Sequence, residues 1–132
     1  MAYLLDTNTV IYARDGVASV LEKFARYDGL ISLSALSLAE LQQGLVKPGP
    51  QADLRKSRLE VLLSRIPVLA FGTEAALMYG QIIAQRGWTR SRRFDHMIAA
   101  HAISANRTLI TNNESDFADV PGLVLENWVV SG

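Results

Sequence analysis

Short apolar runs alternate with longer helical patterns along most of the chain, and this alternation limits the possible folds more than any other feature. The stretches between the runs carry apolar residues at the three-to-four-residue spacing of helices. Strands that alternate with helices of about ten residues or more predict βαβ units, in which the strands run parallel. The sequence therefore predicts an α/β fold class, with a central, mainly parallel sheet of four to five short strands flanked by helices on both faces.

Turn signals and apolar spacing place the individual elements. Predicted strands cover residues 3–5, 30–33, 67–71, 108–111 and 123–125. A short helix is predicted after the first strand, and longer ones cover residues 17–27, 34–46, 52–65 and 72–86, with a last helix that opens at Asp95. No internal repeat or domain linker interrupts the series, so we expect one domain over residues 1–132.

The composition excludes several classes of protein. Thirteen basic and thirteen acidic residues cancel, so no overall field attracts the chain to nucleic acid or to an anionic membrane. The absence of cysteine excludes disulfides, thiolate metal sites and cysteine nucleophiles. No segment has the pattern of a signal peptide, and no run approaches the roughly 20 apolar residues that span a bilayer. We therefore expect a soluble, cytoplasmic protein with no membrane partner.

Four carboxylates stand at or near predicted strand ends. Asp6 directly follows the first strand, and Glu40 lies on the helix after the second. Asp95 opens the helix that leads into the fourth strand, and Asp116 lies five residues beyond Thr111, where that strand ends. Because the carboxyl ends of parallel strands share one edge of a sheet, we expect these acids to gather there.

Each acid also has a purely structural alternative. These alternatives are an N-cap role for Asp6 or Thr7, a capping box of Glu40 with Ser37, a favourable helix dipole for Asp95, and an Asx turn of Asp116 with Asn113. Glu114 lies close enough to Asp116 to replace it as the fourth acid. The joint placement of the four acids, rather than any one of them, favours a chemical role.

Several carboxylates at one edge repel one another unless a cation compensates their charge. With oxygen ligands, no cysteine and no paired histidines, the cation predicted is Mg²⁺ or Mn²⁺. Such an ion activates a water and polarises a phosphoryl oxygen, so the predicted chemistry is metal-assisted hydrolysis of a phosphate ester. The polar residues predicted to support the carboxylates are Thr7, Asn8, Thr111 and Asn113.

The two histidines are not assigned to the metal. His96 lies beside Asp95, where it could contact a substrate, whereas His101 lies in the middle of an alanine-rich helix. Neither has a second histidine at the spacing of metal ligands. We expect His101 to be structural or to face a partner.

A basic cluster directly precedes Asp95. Its arginines are Arg86, Arg90, Arg92 and Arg93, with Trp88 and Phe94 interleaved. Arginine mixed with aromatic residues is typical of surfaces that bind single-stranded nucleic acid, because charge holds phosphate and rings stack on bases. The cluster predicts contact with RNA, and the alternatives are a solvated loop or a docking patch for an acidic partner.

Four motifs follow one another along the chain: LLDTN at residues 4–8, LAEL at 38–41 with Gly44, DHMIAA at 95–100, and TNNESDF at 111–117 followed by PGL at 121–123. Together they resemble the PIN-domain family, in particular the VapC-type toxins of bacterial toxin–antitoxin pairs. The resemblance extends over essentially the whole chain. The metal-binding acids of the family fall on Asp6, Glu40, Asp95 and Asp116, and its supporting polar residues fall on Thr7, Asn8, Thr111 and Asn113.

The resemblance implies an endoribonuclease that depends on Mg²⁺ or Mn²⁺ and cuts structured RNA, commonly tRNA or ribosomal RNA. It also implies a homodimer within a larger toxin–antitoxin complex, in which the C-terminal segment of a cognate VapB-like antitoxin lies across the groove and inhibits the enzyme.

Three alternatives compete with this hypothesis. A haloacid-dehalogenase-like phosphatase also begins with an acid after its first strand, but it needs a second aspartate where Asn8 stands. A receiver domain needs an adjacent acidic pair and a later lysine, which the chain does not offer. A non-catalytic RNA- or protein-binding module of the PIN type would be expected to have lost one of the four acids. None is missing.

Overall fold

The computed structural model describes residues 2–129 and contains one five-stranded sheet. Every neighbouring pair of strands is parallel, and the spatial order is β3-β2-β1-β4-β5. The strands are β1 (Tyr3–Leu5), β2 (Ile31–Ser34), β3 (Val68–Leu69), β4 (Thr108–Ile110) and β5 (Leu125–Glu126). The predicted parallel α/β architecture is therefore confirmed.

Six α-helices and one 3₁₀ turn connect the strands within residues 2–129. The helices are α1 (Thr7–Arg14), α2 (Ala18–Arg26), α3 (Ala35–Leu45), α4 (Ala52–Leu63), α5 (Thr73–Arg86) and α6 (Arg93–Ser104), and the 3₁₀ turn covers Glu114–Phe117. None of these helices is both long and apolar enough to cross a bilayer.

Several predicted boundaries were wrong. β3 has two residues instead of five, because only Val68 and Leu69 lie opposite the end of β2 at the edge of the sheet. β5 pairs with β4 two residues later in the chain than predicted. The helix α6 begins at Arg93, so Asp95 is its third residue rather than its first.

The central strand β1 explains why the sheet has helices on both faces. Its side chains alternate between the two sides, as in any strand. Leu4 packs with Ile82 of α5 and Ile98 of α6, while Leu5 packs with Val10 of α1 and Val20 of α2. All the residues of β1 are buried, so the strand holds the next residue, Asp6, in a fixed position.

A buried polar contact joins two of the helices that leave the sheet. The hydroxyl of Ser34 at the end of β2 accepts the Leu36 N–H at 3.1 Å, which caps α3. The same hydroxyl lies 2.7 Å from Nδ1 of His101 on α6. Burial lowers the pKa of His101, so the ring stays neutral at this contact. His101 thus has the structural role that was one of its two predicted roles.

Candidate active site

Asp6 lies at the carboxyl end of β1 and begins α1. Its backbone N–H donates to the carbonyl of Ile110 on the adjacent strand at 3.0 Å. Its Oδ1 accepts the Thr9 N–H at 2.8 Å, so the side chain caps α1. The capping alternative is correct for Asp6, but capping leaves the carboxylate at the strand end, where it lines a pocket.

The pocket has a volume of about 460 Å³ and brings together three of the four predicted acids, Asp6, Glu40 and Asp95. Of the predicted supporting residues, Thr7, Asn8 and Asn113 also line it. The remaining lining residues are Ile11, Arg14, Leu41, Gln43, Gly44, Lys47, Phe94, Ile98 and Phe117. The carboxyl ends of β1 and β2 and the start of α6 therefore converge at one pocket.

Glu40 and Asp95 reach the pocket from two different helices. Glu40 is exposed on α3, and Asp95 is half-buried in the first turn of α6. The capping-box alternative for Glu40 is wrong, because Ser34 caps α3 and Ser37 is already its third helical residue.

Two acids of the pocket, Asp6 and Asp95, have raised pKa values. Burial raises the pKa of Asp6, hydrogen bonds from Thr9 and Thr111 oppose the rise, and the charge of Glu40 adds to it. Burial also raises the pKa of Asp95, with further increases from Asp116, Asp6 and Glu40 and an opposing effect of Arg92. The acids destabilise one another's charged forms, which is what a cation would relieve.

The donor set of the pocket fits a hard cation. Carboxylates, amide oxygens and hydroxyls are the ligands that Mg²⁺ and Mn²⁺ prefer. The hydroxyl of Thr7 is buried and has no hydrogen-bond partner, so one polar atom at the pocket is unsatisfied. Within residues 2–129, no three acidic or histidine side chains already stand at the spacing of a coordination sphere. Mg²⁺ keeps several waters when it binds to proteins, so a site with one or two direct carboxylate ligands is the arrangement that fits.

The fourth predicted acid does not line the pocket. Asp116 and Glu114 are both exposed in the 3₁₀ turn after β4. The charge of Asp116 acts on Asp95, whereas Glu114 is not among the charges that shift the pKa of Asp95. Of the two candidates, Asp116 is therefore the one coupled to the pocket. The buried Thr111 hydroxyl accepts the Asn113 N–H at 3.0 Å, which fixes the start of the turn.

Arg92 has a role that the sequence did not indicate. One nitrogen of its guanidinium group, Nη2, donates to the backbone carbonyl of Asp116 and to Oδ1 of Asp119, the latter at 2.8 Å. Arg92 precedes α6, so this contact, the Arg92 clamp, joins the helix of Asp95 to the turn of Asp116. The other arginines of the predicted RNA-binding cluster, Arg86, Arg90 and Arg93, are exposed, and none of the four arginines lines the pocket.

The prediction that His96 could contact a substrate is wrong for this arrangement. Its side chain is 2% exposed and does not line the pocket. Its Nε2 lies 4.0 Å from Oδ2 of Asp119, and burial together with the charge of Arg92 lowers its pKa. The ring therefore stays neutral beneath the Arg92 clamp.

Two cations at the pocket were not predicted from the sequence. Arg14 at the end of α1 and Lys47 just after α3 both line it. The available signal was spacing, since each follows an acid of the site by seven or eight residues, about two helical turns. This spacing is a weaker signal than the dense run of arginines near residue 90.

Asp6 caps α1 and also places a buried carboxylate at the pocket, and two replacements separate these roles. Asp6→Asn keeps a good N-cap and removes a buried charge, whereas Asp6→Ala also loses the cap, at a cost of about 1 kcal/mol. Without divalent ions at neutral pH, we expect Asp6→Asn to be at least as stable as the wild type and about 1 kcal/mol more stable than Asp6→Ala, as measured by thermal or urea unfolding.

The pH dependence of Asp6→Asn follows from the raised pKa of Asp6. The folded state holds the Asp6 proton more tightly than the unfolded state, so this contribution to stability is present in acid and is lost as the pH rises through the raised pKa. The wild type should therefore lose stability relative to Asp6→Asn between mildly acidic and neutral pH. Parallel pH profiles for the two proteins would contradict this assignment.

Asp119→Asn tests the Arg92 clamp. Loss of the charged acceptor should loosen the turn after β4, so the amides of Asp116 and Val120, bonded within the turn, should exchange hydrogen faster. Because the ion pair is partly exposed, global stability should fall by no more than about 1 kcal/mol. Glu22→Gln, which breaks the exposed Arg26–Glu22 pair on α2, is the matched control. Unchanged exchange in the turn of Asp119→Asn would exclude the clamp.

Comparison with known proteins identifies the family. The sequence profile described as PIN domain matches residues 3–123. The chain is 37% identical over 135 residues to Ribonuclease VapC2 of Rickettsia felis, an alignment that covers 97% of this chain and 98% of that protein. It is 34% identical over 132 residues to the tRNA(fMet)-specific endonuclease VapC of Salmonella typhimurium, with the same coverage.

Solved structures agree with the sequence relatives. VapBC2 from Rickettsia felis, bound to a DNA fragment from its promoter, contains a chain with a TM-score of 0.84 and 34% identity, covering 97% of this chain and 99% of that one. DNA-bound VapBC from Salmonella typhimurium contains a chain with a TM-score of 0.84 and 31% identity, covering 97% and 98%. Sequence and structure together show that this chain belongs to the PIN-domain family, as one of its VapC-type members.

Proposed function

We propose that this protein is the toxin of a toxin–antitoxin pair and hydrolyses RNA phosphodiester bonds with the help of Mg²⁺ or Mn²⁺. The observation that carries the proposal is the pocket at the carboxyl end of the sheet, which Asp6, Glu40 and Asp95 line together. Burial and the charge of Glu40 raise the pKa of Asp6, and burial and the charges of Asp116, Asp6 and Glu40 raise the pKa of Asp95. Relatives that align over nearly the full length are named ribonucleases and endonucleases, which supports RNA as the substrate that binds in the pocket.

Asp6, Glu40 and Asp95 are the residues proposed to hold the ion, with Asp116 as the fourth acid. The side chain of Asp116 does not line the pocket, but its charge raises the pKa of Asp95. A bound Mg²⁺ or Mn²⁺ supplies Lewis-acid stabilisation of the charge on the phosphoryl oxygens and lowers the pKa of a water molecule.

The remaining polar residues hold the carboxylates in position. Thr9 and Thr111 hydrogen-bond to Asp6 and limit its rotation. The Arg92 clamp fixes the turn that carries Asp116 relative to the helix that carries Asp95. Thr7, Asn8 and Asn113 place neutral oxygen and amide groups around the pocket, where they can orient carboxylates, water or the phosphate. Fixed placement of this kind keeps the acids ready for an in-line displacement at phosphorus.

The proposed macromolecular partner is a cognate VapB-like antitoxin. The two structural relatives described above are VapBC proteins bound to DNA. We propose that this chain forms a homodimer within a larger complex with the antitoxin, and that the antitoxin blocks the pocket until it is removed. The net charge of zero agrees with RNA binding through local cations rather than through an overall field.

A non-catalytic PIN module that binds RNA or protein is the second candidate. The intact set of four acids and the raised pKa values of Asp6 and Asp95 favour the catalytic candidate, because a binding module gains nothing from repulsion among its carboxylates. A haloacid-dehalogenase-like phosphatase is disfavoured by Asn8, which stands where that class needs a second aspartate. Cleavage assays distinguish all three.

The purified chain should cut RNA in the presence of Mg²⁺ or Mn²⁺, and excess EDTA should stop the reaction. Asp6→Asn and Asp95→Asn should each lower the rate by at least about 100-fold, because each removes a charged oxygen ligand without removing its side chain. The measurement is the release of fragments from total tRNA and ribosomal RNA, followed by mapping of the new 5′ ends.

Asp53→Asn is the matched control for these variants. Asp53 is an exposed acid in the first turn of α4 and does not line the pocket, so its replacement should leave cleavage unchanged. RNA binding without cleavage by a folded wild-type chain in Mg²⁺ and Mn²⁺ would favour the binding module. Hydrolysis of small phosphate esters without cleavage of RNA would favour the phosphatase.

A further inference from the structure

We propose that an RNA strand passes along the channel between α1 and α3, and that Arg14 and Lys47 bind a phosphate one or two nucleotides from the phosphate that is cut. This inference rests on the proposed ribonuclease function and adds the path of the substrate. It assigns substrate binding to two cations that lie far apart in the sequence, instead of to the arginine cluster near residue 90.

The two helices place their cations at matching distances from the acids. Asp6 precedes α1 and Arg14 ends it, while Glu40 lies in α3 and Lys47 follows its end by two residues. At about 1.5 Å of rise per residue, each cation lies roughly 10–12 Å along the chain axis from its acid. α1 and α3 start from neighbouring parallel strands and contact each other, and both cations line the pocket of the acids.

Neither cation forms an ion pair with Asp6, Glu40 or Asp95. The side chain of Arg14 is 16% exposed, and its Nε lies 3.0 Å from Oδ1 of Asp15. Lys47 forms no ion pair within residues 2–129, and its backbone carbonyl accepts a hydrogen bond from Arg55 at 3.3 Å. The hydrogen bond from Arg55 restrains the backbone at Lys47, while the Lys47 ammonium group has no ion-pair partner within these residues.

The charges in the channel are separated along its length. Neither Arg14 nor Lys47 is among the charges that shift the pKa of Asp6 or Asp95. Both cations line the pocket, so an anion that enters it can contact the Lys47 ammonium and the Arg14 guanidinium beside Asp15. A ligand that carries phosphates at regular intervals, with one at the acids and the next at the cations, matches this arrangement.

The volume of the pocket suits a single RNA strand better than an RNA duplex. Its volume of about 460 Å³ lies in the range of small-ligand sites and holds a nucleotide or two rather than a duplex. Recognition of unpaired nucleotides is also the usual route to selective RNA binding. Phe94 lines the same pocket with its ring half-buried, which leaves an aromatic surface beside the acids.

Salt-dependent binding of a fluorescent single-stranded RNA of mixed sequence tests the path. The full chain with Asp6→Asn serves as the parent, so that the probe is not cut. Adding Arg14→Gln or Lys47→Gln should weaken binding several-fold between about 50 and 200 mM salt. The slope of log K against log salt should fall by about 0.7 for each phosphate that the variant no longer neutralises.

Charge-matched variants provide the controls. Arg26→Gln removes an exposed arginine of α2 that also pairs with a neighbouring acid, and Lys56→Gln removes an exposed lysine of α4. Both should leave affinity and salt slope unchanged, as should Arg90→Gln combined with Arg93→Gln. In the otherwise wild-type chain, Lys47→Gln should raise KM more than it lowers kcat, with an unchanged unfolding temperature.

Two results would overturn the inference in different ways. If Arg14→Gln and Lys47→Gln keep the full salt slope while the double variant at Arg90 and Arg93 loses it, the RNA follows the other surface and the ribonuclease proposal stands. If the parent binds no RNA and the wild type cuts none, the proposed function fails first and the path fails with it.

Discussion

Mutual repulsion among carboxylates at the carboxyl edge of a parallel sheet is the constraint on which this structure depends. The chain tolerates the repulsion because the buried residues of β1 fix the position of Asp6, and hydrogen bonds from Thr9 and Thr111 offset part of its desolvation. Repulsion that persists in the folded state favours a divalent cation at this edge.

Polar contacts at α6 connect it to the other elements that carry the acids of the site. At its start the Arg92 clamp holds the turn of Asp116, and further along His101 contacts the hydroxyl that caps α3, the helix of Glu40. These contacts link three of the elements that carry acids through buried or half-buried polar groups.

The sequence predicted the sheet and the convergence of Asp6, Glu40 and Asp95 at one pocket because both follow from local patterns. An apolar strand followed by Asp6 has few other placements in a βαβ fold. The contacts of Arg92 could not be predicted, since its partners lie 24 and 27 residues away and composition does not say whether a guanidinium faces solvent. Arg14 and Lys47 were missed for a related reason: they become neighbours only when α1 and α3 pack together.

A crystal of the full chain soaked in Mn²⁺, with anomalous diffraction used to locate the ion, tests the proposed metal site. We expect an anomalous peak in the pocket between Asp6 and Asp95, at a distance of about 2.0–2.3 Å from at least one of their oxygens. Asp95→Asn crystals should lose the peak. A well-occupied Mn²⁺ found only elsewhere on the protein, with the pocket carboxylates unchanged, would contradict it.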